Sequence, residues 1–154
     1  MTTSISEIRK DFPLLMSNDV IYLDTAATSQ KPSCVLEAER TFYEKYNANP
    51  LRGLYELGEA ATEKYEEARE TVREFLNARE AAEIVFVRNA TEGLNLVAYS
   101  LSSLVLKPGD EILVSIMEHH SNLLPWQMVC RQAGASLKFM ECEMDGTLDL
   151  NKVE

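Results

Sequence analysis

Cysteine and histidine are both scarce in this chain. The three cysteines, Cys34, Cys130 and Cys142, are odd in number and show no C-x-x-C spacing, which speaks against a disulfide framework or a zinc site. All three are expected to be small buried thiols. The only two histidines, His119 and His120, are adjacent; side by side they point in different directions, and no cluster of cysteines or carboxylates completes a metal set. Long apolar runs are missing as well. The longest, residues 94–106, is broken by serines and is too short to cross a bilayer. The opening MTTSISEIRKDF has no apolar signal core and is not an Arg-rich, acid-poor transit peptide, so a cytoplasmic location is expected. Basic residues are outnumbered 25 to 15, giving a net charge of -10; this argues against nucleic acid or an anionic membrane as partner. No G-x-x-x-x-G-K-[ST] occurs, which excludes a P-loop, and no G-x-G-x-x-G follows a strand, which disfavours NAD.

What is present is ordinary for a globular chain of 154 residues: 45% hydrophobic and 26% charged, with about one domain expected from the length. Residues 1–18 read as an amphipathic arm, with Ile5, Ile8, Phe12 and Leu15 at helical spacing and Pro13 closing it. Residues 19–80 read as a loop and helical segment. Within it, residues 20–23 are a short apolar run able to pair as a strand, and Asp24-Thr25-Ala26-Ala27-Thr28 is a small polar turn. A helix follows with Ser33 as its N-cap. Residues 57–77 form the clearest helix, its apolar face at three-and-four spacing and its outside rich in glutamate. There, Glu66–Arg69 and Glu70–Arg73 are spaced to pair.

Residues 81–154 read as an incomplete α/β cofactor-binding domain. Strands are expected at 84–87, 112–115 and 137–140. Between them lie a helix after Thr91, apolar nearly all round and expected to be buried, and a helix capped by Ser121 or Asn122 and ended by Gly134. Strands alternating with helices imply parallel pairing. In such sheets ligands collect at the carboxyl ends of the strands, which singles out residues 88–95 and 118–122 as two walls of one site. In Asn89-Ala90-Thr91-Glu92-Gly93, Asn89 and Glu92 have capping-box spacing. The free first-turn amides and the Thr91 hydroxyl suit a phosphate, with small Ala90 and Gly93 allowing close approach; ordinary capping is the plain alternative. In Glu118-His119-His120-Ser121-Asn122 an imidazole is suited to stack on an aromatic ring or to shuttle a proton; an exposed loop pair is the plain alternative. A phosphate-bearing aromatic ligand fits both loops together, and pyridoxal phosphate answers that description.

Four strings in order carry a family resemblance: YLDTAATSQKP (22–32), ATEKYEEAR (61–69), FVRNATEGLNLVA (86–98) and MEHHSNLLPWQ (117–127). Together they resemble the cysteine desulfurases, pyridoxal-phosphate enzymes of the class V aminotransferase group. Within that group they are most similar to the branch serving SUF-type iron–sulfur cluster assembly, which overlaps with the selenocysteine lyases. The resemblance implies an α/β fold: part of a PLP-transferase (aspartate aminotransferase-like) large domain, parallel strands alternating with helices, preceded by N-terminal helices. It implies pyridoxal 5'-phosphate as cofactor, L-cysteine or selenocysteine as substrate, a homodimer in the complete enzyme, and a sulfur-acceptor protein. By position, Ala90 and Thr91 would hold the cofactor phosphate. His119 would stack on the pyridine ring and assist proton transfer as the catalytic residue, and Ala26 and Ala27 would lie beside the substrate. Arg52-Gly53 falls where the family has a loop at the active-site mouth, with Leu51 in place of the usual histidine.

The same resemblance marks what these residues leave out. In the family, the lysine that carries the cofactor, in a Ser-Gly-His-Lys type motif, lies well beyond residue 154. So do the aspartate that faces the pyridinium nitrogen and the cysteine that accepts sulfur. The strands that would separate 84–87 from 112–115 and 137–140 also come later. These residues are therefore expected to be the N-terminal part of a cysteine desulfurase, inactive alone, with open sheet edges and a marginal or partner-dependent fold. The rival expectation is a non-catalytic half-domain that dimerises with or complements a full-length desulfurase.

Overall fold

The computed structural model describes residues 4–152. The chain divides into two units, Met1–Ile84 and Val85–Glu154.

In the first unit, helix α1 (Ile5–Lys10) is capped by Ser4, whose hydroxyl accepts from the Glu7 amide at 3.3 Å. Pro13 does not close this arm. It opens a second helix, α2 (Pro13–Ser17), because a first-turn position needs no amide donor. The Arg9 guanidinium then staples the arm by donating to the carbonyls of Leu15 (3.0 Å) and Val20 (2.9 Å). Residues 20–23 form no strand, since no ladder partner reaches them. Instead the Tyr22 hydroxyl reaches the carbonyls of Asp24 (3.1 Å) and Thr28 (2.7 Å), closing the turn that holds Ala26 and Ala27. Helix α3 (Ser33–Lys45) is preceded by Pro32 at the cap. Ser33 is thus its first helical residue rather than its cap; its amide and hydroxyl both donate to the Asp11 carbonyl (2.7 and 3.1 Å).

Helix α4 (Glu56–Leu76) ends on Asn77, which takes the left-handed conformation (φ 54°) of a C-cap. The expected ion pairs form on its surface, Arg69 to Glu66 at 3.0 Å and Arg73 to Glu70 at 2.6 Å. Arg69 also lies over the Tyr65 ring and donates to the Ile84 carbonyl. At the other end of α4, Leu51 takes a positive φ of 69°, and its amide is held by the Thr62 hydroxyl at 2.8 Å. That loop presses on the helix: a Cβ on Gly58 would stand 2.7 Å from the Gly53 Cα.

The second unit opens without the expected strand. Residues 84–87 belong to no strand; Ile84 is 8% exposed, whereas Val85 is 64% exposed. An apolar run becomes a strand only by pairing in a ladder with a neighbouring strand, and the ladder of this unit is formed by residues 111–115 and 136–140. Helix α5 (Ala90–Val105) departs from expectation in the same way. Ala98 is its buried residue, while Leu96 and Leu101 are about half exposed and Leu104 is 80% exposed. The Pro108-Gly109-Asp110 turn, with Gly109 at φ 91°, leads into β1 (Glu111–Ser115). A single 3-10 turn (His120–Asn122) precedes α6 (Leu124–Ala133). Its cap is Leu123, which offers no side-chain acceptor, so neither Ser121 nor Asn122 caps it. Gly134 (φ 71°) ends α6 and returns the chain into β2 (Ser136–Met140). The two strands pair in parallel, Glu111 with Ser136 through Ser115 with Met140. Helix α6 packs on α5 and on both strands, burying Val114, Val129 and Cys130. Of the other two cysteines, Cys142 is half-buried and Cys34 is exposed, against the expectation of buried thiols.

Gly58 provides a test of the first unit. Alanine in a helix is favoured over glycine by about 1 kcal/mol, yet its Cβ would meet backbone. Gly58→Ala is expected to destabilise by about 1–3 kcal/mol in chemical denaturation. A stability gain would show that the Leu51–Leu54 loop is not pressed against α4.

Candidate functional site

The loop before α5 is built by hydrogen bonds among its own residues. Asn89 is extended (φ -167°, ψ 172°), and its side-chain oxygen accepts from the Glu92 amide at 2.9 Å. The Asn89 carbonyl accepts from Gly93 at 3.1 Å. Glu92 does not complete the expected capping box, in which it would reach the Asn89 amide. Its carboxylate goes one residue further back and accepts from the Arg88 amide at 2.6 Å, while the Arg88 guanidinium donates to both of its oxygens at 3.2 Å. These bonds from Arg88 hold the Glu92 carboxyl below the usual carboxylate range.

Two consequences bear on anion binding. The amides of Ala90 and Thr91 donate to nothing among the described residues, leaving two N–H groups at the positive end of a 16-residue helix. The Glu92 charge beside them, which would oppose an anion, is neutralised by Arg88. Arg88, Asn89, Thr91, Glu92, Asn95, Leu96, Tyr99 and Ser100 line an open cleft of about 890 Å³. Asn95 belongs to it, although no motif pointed to it; its amide group donates to the Thr91 carbonyl at 2.8 Å, one helical turn on. Gly93 faces the other way. An added Cβ there would meet Val87 at 3.5 Å, an ordinary contact, so the packing does not require a glycine at this position.

The histidine loop is a second structure. His119 is exposed, and its Nδ1 accepts from the Ser121 amide at 3.2 Å, with the Ser121 hydroxyl at 2.9 Å. An acceptor at Nδ1 assigns the ring proton of the neutral imidazole to Nε2. The His120 ring lies 6.1 Å away and tilted by 57°. Beneath this loop, the Glu118 carboxylate accepts from the Ser115 hydroxyl (2.7 Å) and from the Asn122 amide group (2.8 Å), and the Asn122 oxygen accepts from the Trp126 indole (2.8 Å). The four-residue steps Glu118–Asn122–Trp126 were visible in the sequence, but their helical spacing was masked by the histidines between them. Helix α5 packs against the 3-10 turn of this loop. The cleft itself takes its lining from the Arg88–Ser100 side alone; Ala90 and His119 lie outside it. Ala26 and Ala27 are exposed on their turn in the first unit.

The Arg88 clasp has a pH signature. A carboxyl whose folded pKa is depressed stabilises the fold above its unfolded value, about 4.3 for glutamate, and that contribution is lost as pH falls through the lower folded value. In a carboxyl-carbon NMR titration, Glu92 is expected to turn over below the ordinary glutamate range. Arg88→Ala should bring it part of the way back, since the backbone amide remains. An unchanged Glu92 midpoint in Arg88→Ala would refute the clasp.

Known proteins resemble this chain in sequence and fold. The Aminotransferase class-V family profile matches residues 21–154. A probable cysteine desulfurase of Synechocystis sp. is 51% identical over 147 residues, covering 93% of this chain and 35% of the relative. The cysteine desulfurase of Escherichia coli O1:K1 is 47% identical over 154 residues, covering 97% of this chain and 38% of the relative. Among solved structures, the apo cysteine desulfurase from Thermococcus onnurineus NA1 superposes with a TM-score of 0.88 at 45% identity, over 98% of this chain and 37% of that one. The chain therefore spans well under half the length of the relatives it matches. With its parallel strand pair, crossover helix and leading helices, it has the fold of a partial PLP-transferase domain, and it belongs to the class-V aminotransferase family.

Proposed function

We propose that these residues form the N-terminal part of a pyridoxal-phosphate-dependent cysteine desulfurase, supplying the phosphate-binding and ring-facing wall of its cofactor site. The complete enzyme would convert L-cysteine to L-alanine and leave the sulfur as an enzyme persulfide, for transfer to an acceptor protein in SUF-type iron–sulfur cluster assembly in the cytoplasm. The observation that carries this reading is the start of α5, where two amides are unpartnered at a helix N-terminus whose acidic neighbour, Glu92, is paired with Arg88. Ala90 and Thr91 would hold the phosphate through these groups. His119 would lie against the pyridine ring and hold a proton at Nε2. Ala26 and Ala27, small and exposed, would leave room for the substrate amino acid. When bound, pyridoxal phosphate supplies an electron sink for charge developing at the substrate α-carbon. The seven lysines here include none in a Ser-Gly-His-Lys setting, and Cys34, Cys130 and Cys142 match no family nucleophile. We therefore assign the cofactor-bearing lysine and the persulfide cysteine to sequence outside these residues, and expect the chain to be inactive alone.

A second reading rests on surface. The exposed Leu96, Leu101 and Leu104 of α5, with the exposed Val85–Val87 run, suit a half-domain that complements or dimerises with a full-length desulfurase. A selenocysteine lyase would present the same wall. Alanine release from selenocysteine but not cysteine, by the chain joined to its complement, would favour that alternative.

Two measurements test the main reading. Pyridoxal phosphate is expected to bind the purified chain reversibly in equilibrium dialysis, and Thr91→Val to weaken it about tenfold, the worth of one hydrogen bond to a charged group. Equal binding by the variant would remove Thr91 from the phosphate site. Borohydride treatment of the mixture should leave no covalent adduct and no lasting absorbance. A fixed adduct, or alanine formed from cysteine by the chain alone, would show that a reactive lysine is present here.

A further inference from the structure

The histidine loop is tied from below by groups that the proposed cofactor chemistry does not use. Ser115 is the last residue of β1 and is buried. Trp126 lies in the first turn of α6. Three hydrogen bonds run between them through Glu118 and Asn122: Ser115 Oγ to Glu118 Oε1 at 2.7 Å, Asn122 Nδ2 to Glu118 Oε2 at 2.8 Å, and Trp126 Nε1 to Asn122 Oδ1 at 2.8 Å. The chemistry of the donors leaves no freedom in this order. An indole N–H can only donate, so it fixes the Asn122 oxygen. The Asn122 nitrogen must then donate, and an ionised carboxylate can only accept. Glu118 therefore receives one donor on each oxygen and bridges the strand end to the far side of the loop. The enclosed residues are His119, His120 and Ser121, and within that span Ser121 donates its amide to His119 Nδ1.

We propose that Glu118 is a positioning residue of the site: by joining Ser115 to Asn122 it closes the five-residue loop and thereby fixes the His119 ring and its Nε2–H tautomer. This rests on the reading of His119 as the ring-facing residue and adds what holds it in place. The role is geometric rather than electrostatic, because glutamine can reproduce it. A glutamine nitrogen can donate to the Ser115 hydroxyl while its oxygen accepts from Asn122, so both bonds survive without the charge.

The chain provides its own probes, having one tryptophan and two histidines. In NMR spectra of the full chain at neutral pH, Glu118→Ala is expected to shift the Trp126 indole N–H and the His119 imidazole signals, and to speed exchange of the Ser121 amide about tenfold or more, the mark of a local opening. Glu118→Gln should stay close to wild type on all three. Asn122→Asp sets a second carboxylate against Glu118 and should reproduce the alanine effect, which keeps the test available if Glu118→Ala fails to fold. Wild-type His119 and Ser121 signals in Glu118→Ala or Asn122→Asp would overturn the proposal, and a glutamine variant as disturbed as alanine would overturn its geometric basis. Equilibrium dialysis of His119→Ala against pyridoxal phosphate tests the other reading separately. Unchanged affinity there would remove His119 from the ring, whatever the spectra show for Glu118.

Discussion

The second unit depends on one parallel ladder, the pairing of Glu111–Ser115 with Ser136–Met140. Parallel strands cannot be joined by a tight turn, so the chain between them must leave one end of the pair and return to the other. It returns as α6, which covers the ladder and buries Val114 and Val129. The ladder runs one bond past the strands, with the Ile116 amide donating to the Met140 carbonyl at 3.0 Å. Only then is the chain released, at the carboxyl end where open α/β sheets collect their ligands. The histidine loop stands there because the ladder ends there.

The same ladder accounts for what is left open. Two strands and two helices bury little, and among the described residues no large side chain is fully buried. Alanines do much of the close packing, Ala61 in α4 and Ala98 in α5. The apolar residues of α5 and of the 85–87 stretch are sound candidates for a core, but the surfaces that would cover them are absent from the described residues. That agrees with a chain matching 35–38% of the length of its curated relatives. In such a fold the polar loops are better determined than the core. The loops of the candidate site are fixed by hydrogen bonds between residues no more than four apart, whereas a core needs partners from farther along the chain.

The two halves of the candidate site show this contrast in charge as well as geometry. At α5 the carboxylate of Glu92 stands in the first turn of the helix, and Arg88 takes both of its oxygens. At the histidine loop the carboxylate of Glu118 is used the other way. The Asn122 and Ser115 donors hold its carboxyl below the usual carboxylate range, and it works as a double acceptor between the end of β1 and Asn122.

Local information was enough for much of this. The long helix α4 was legible from its apolar spacing and its glutamate-rich outside, and β1, β2, the Gly134 stop and the Asn89 cap from short apolar runs and turn chemistry, because each is decided by neighbours within a few residues. Four motifs in order also identified the family before any coordinates. Where the sequence misled, distance was the reason. The 84–87 run has strand composition, but a strand exists only with a partner; α5 is apolar all round, but burial requires something to lie against. Pro13, Ser33 and Ser121 are all residue types found at helix ends, and which end or position each took was decided by contacts such as Ser33 to Asp11, 22 residues away. The Ser115–Glu118–Asn122–Trp126 chain joined a strand to a helix through residues that looked like ordinary loop polarity. Only the folded backbone, by bringing the end of β1 beside the start of α6, made them a single structure.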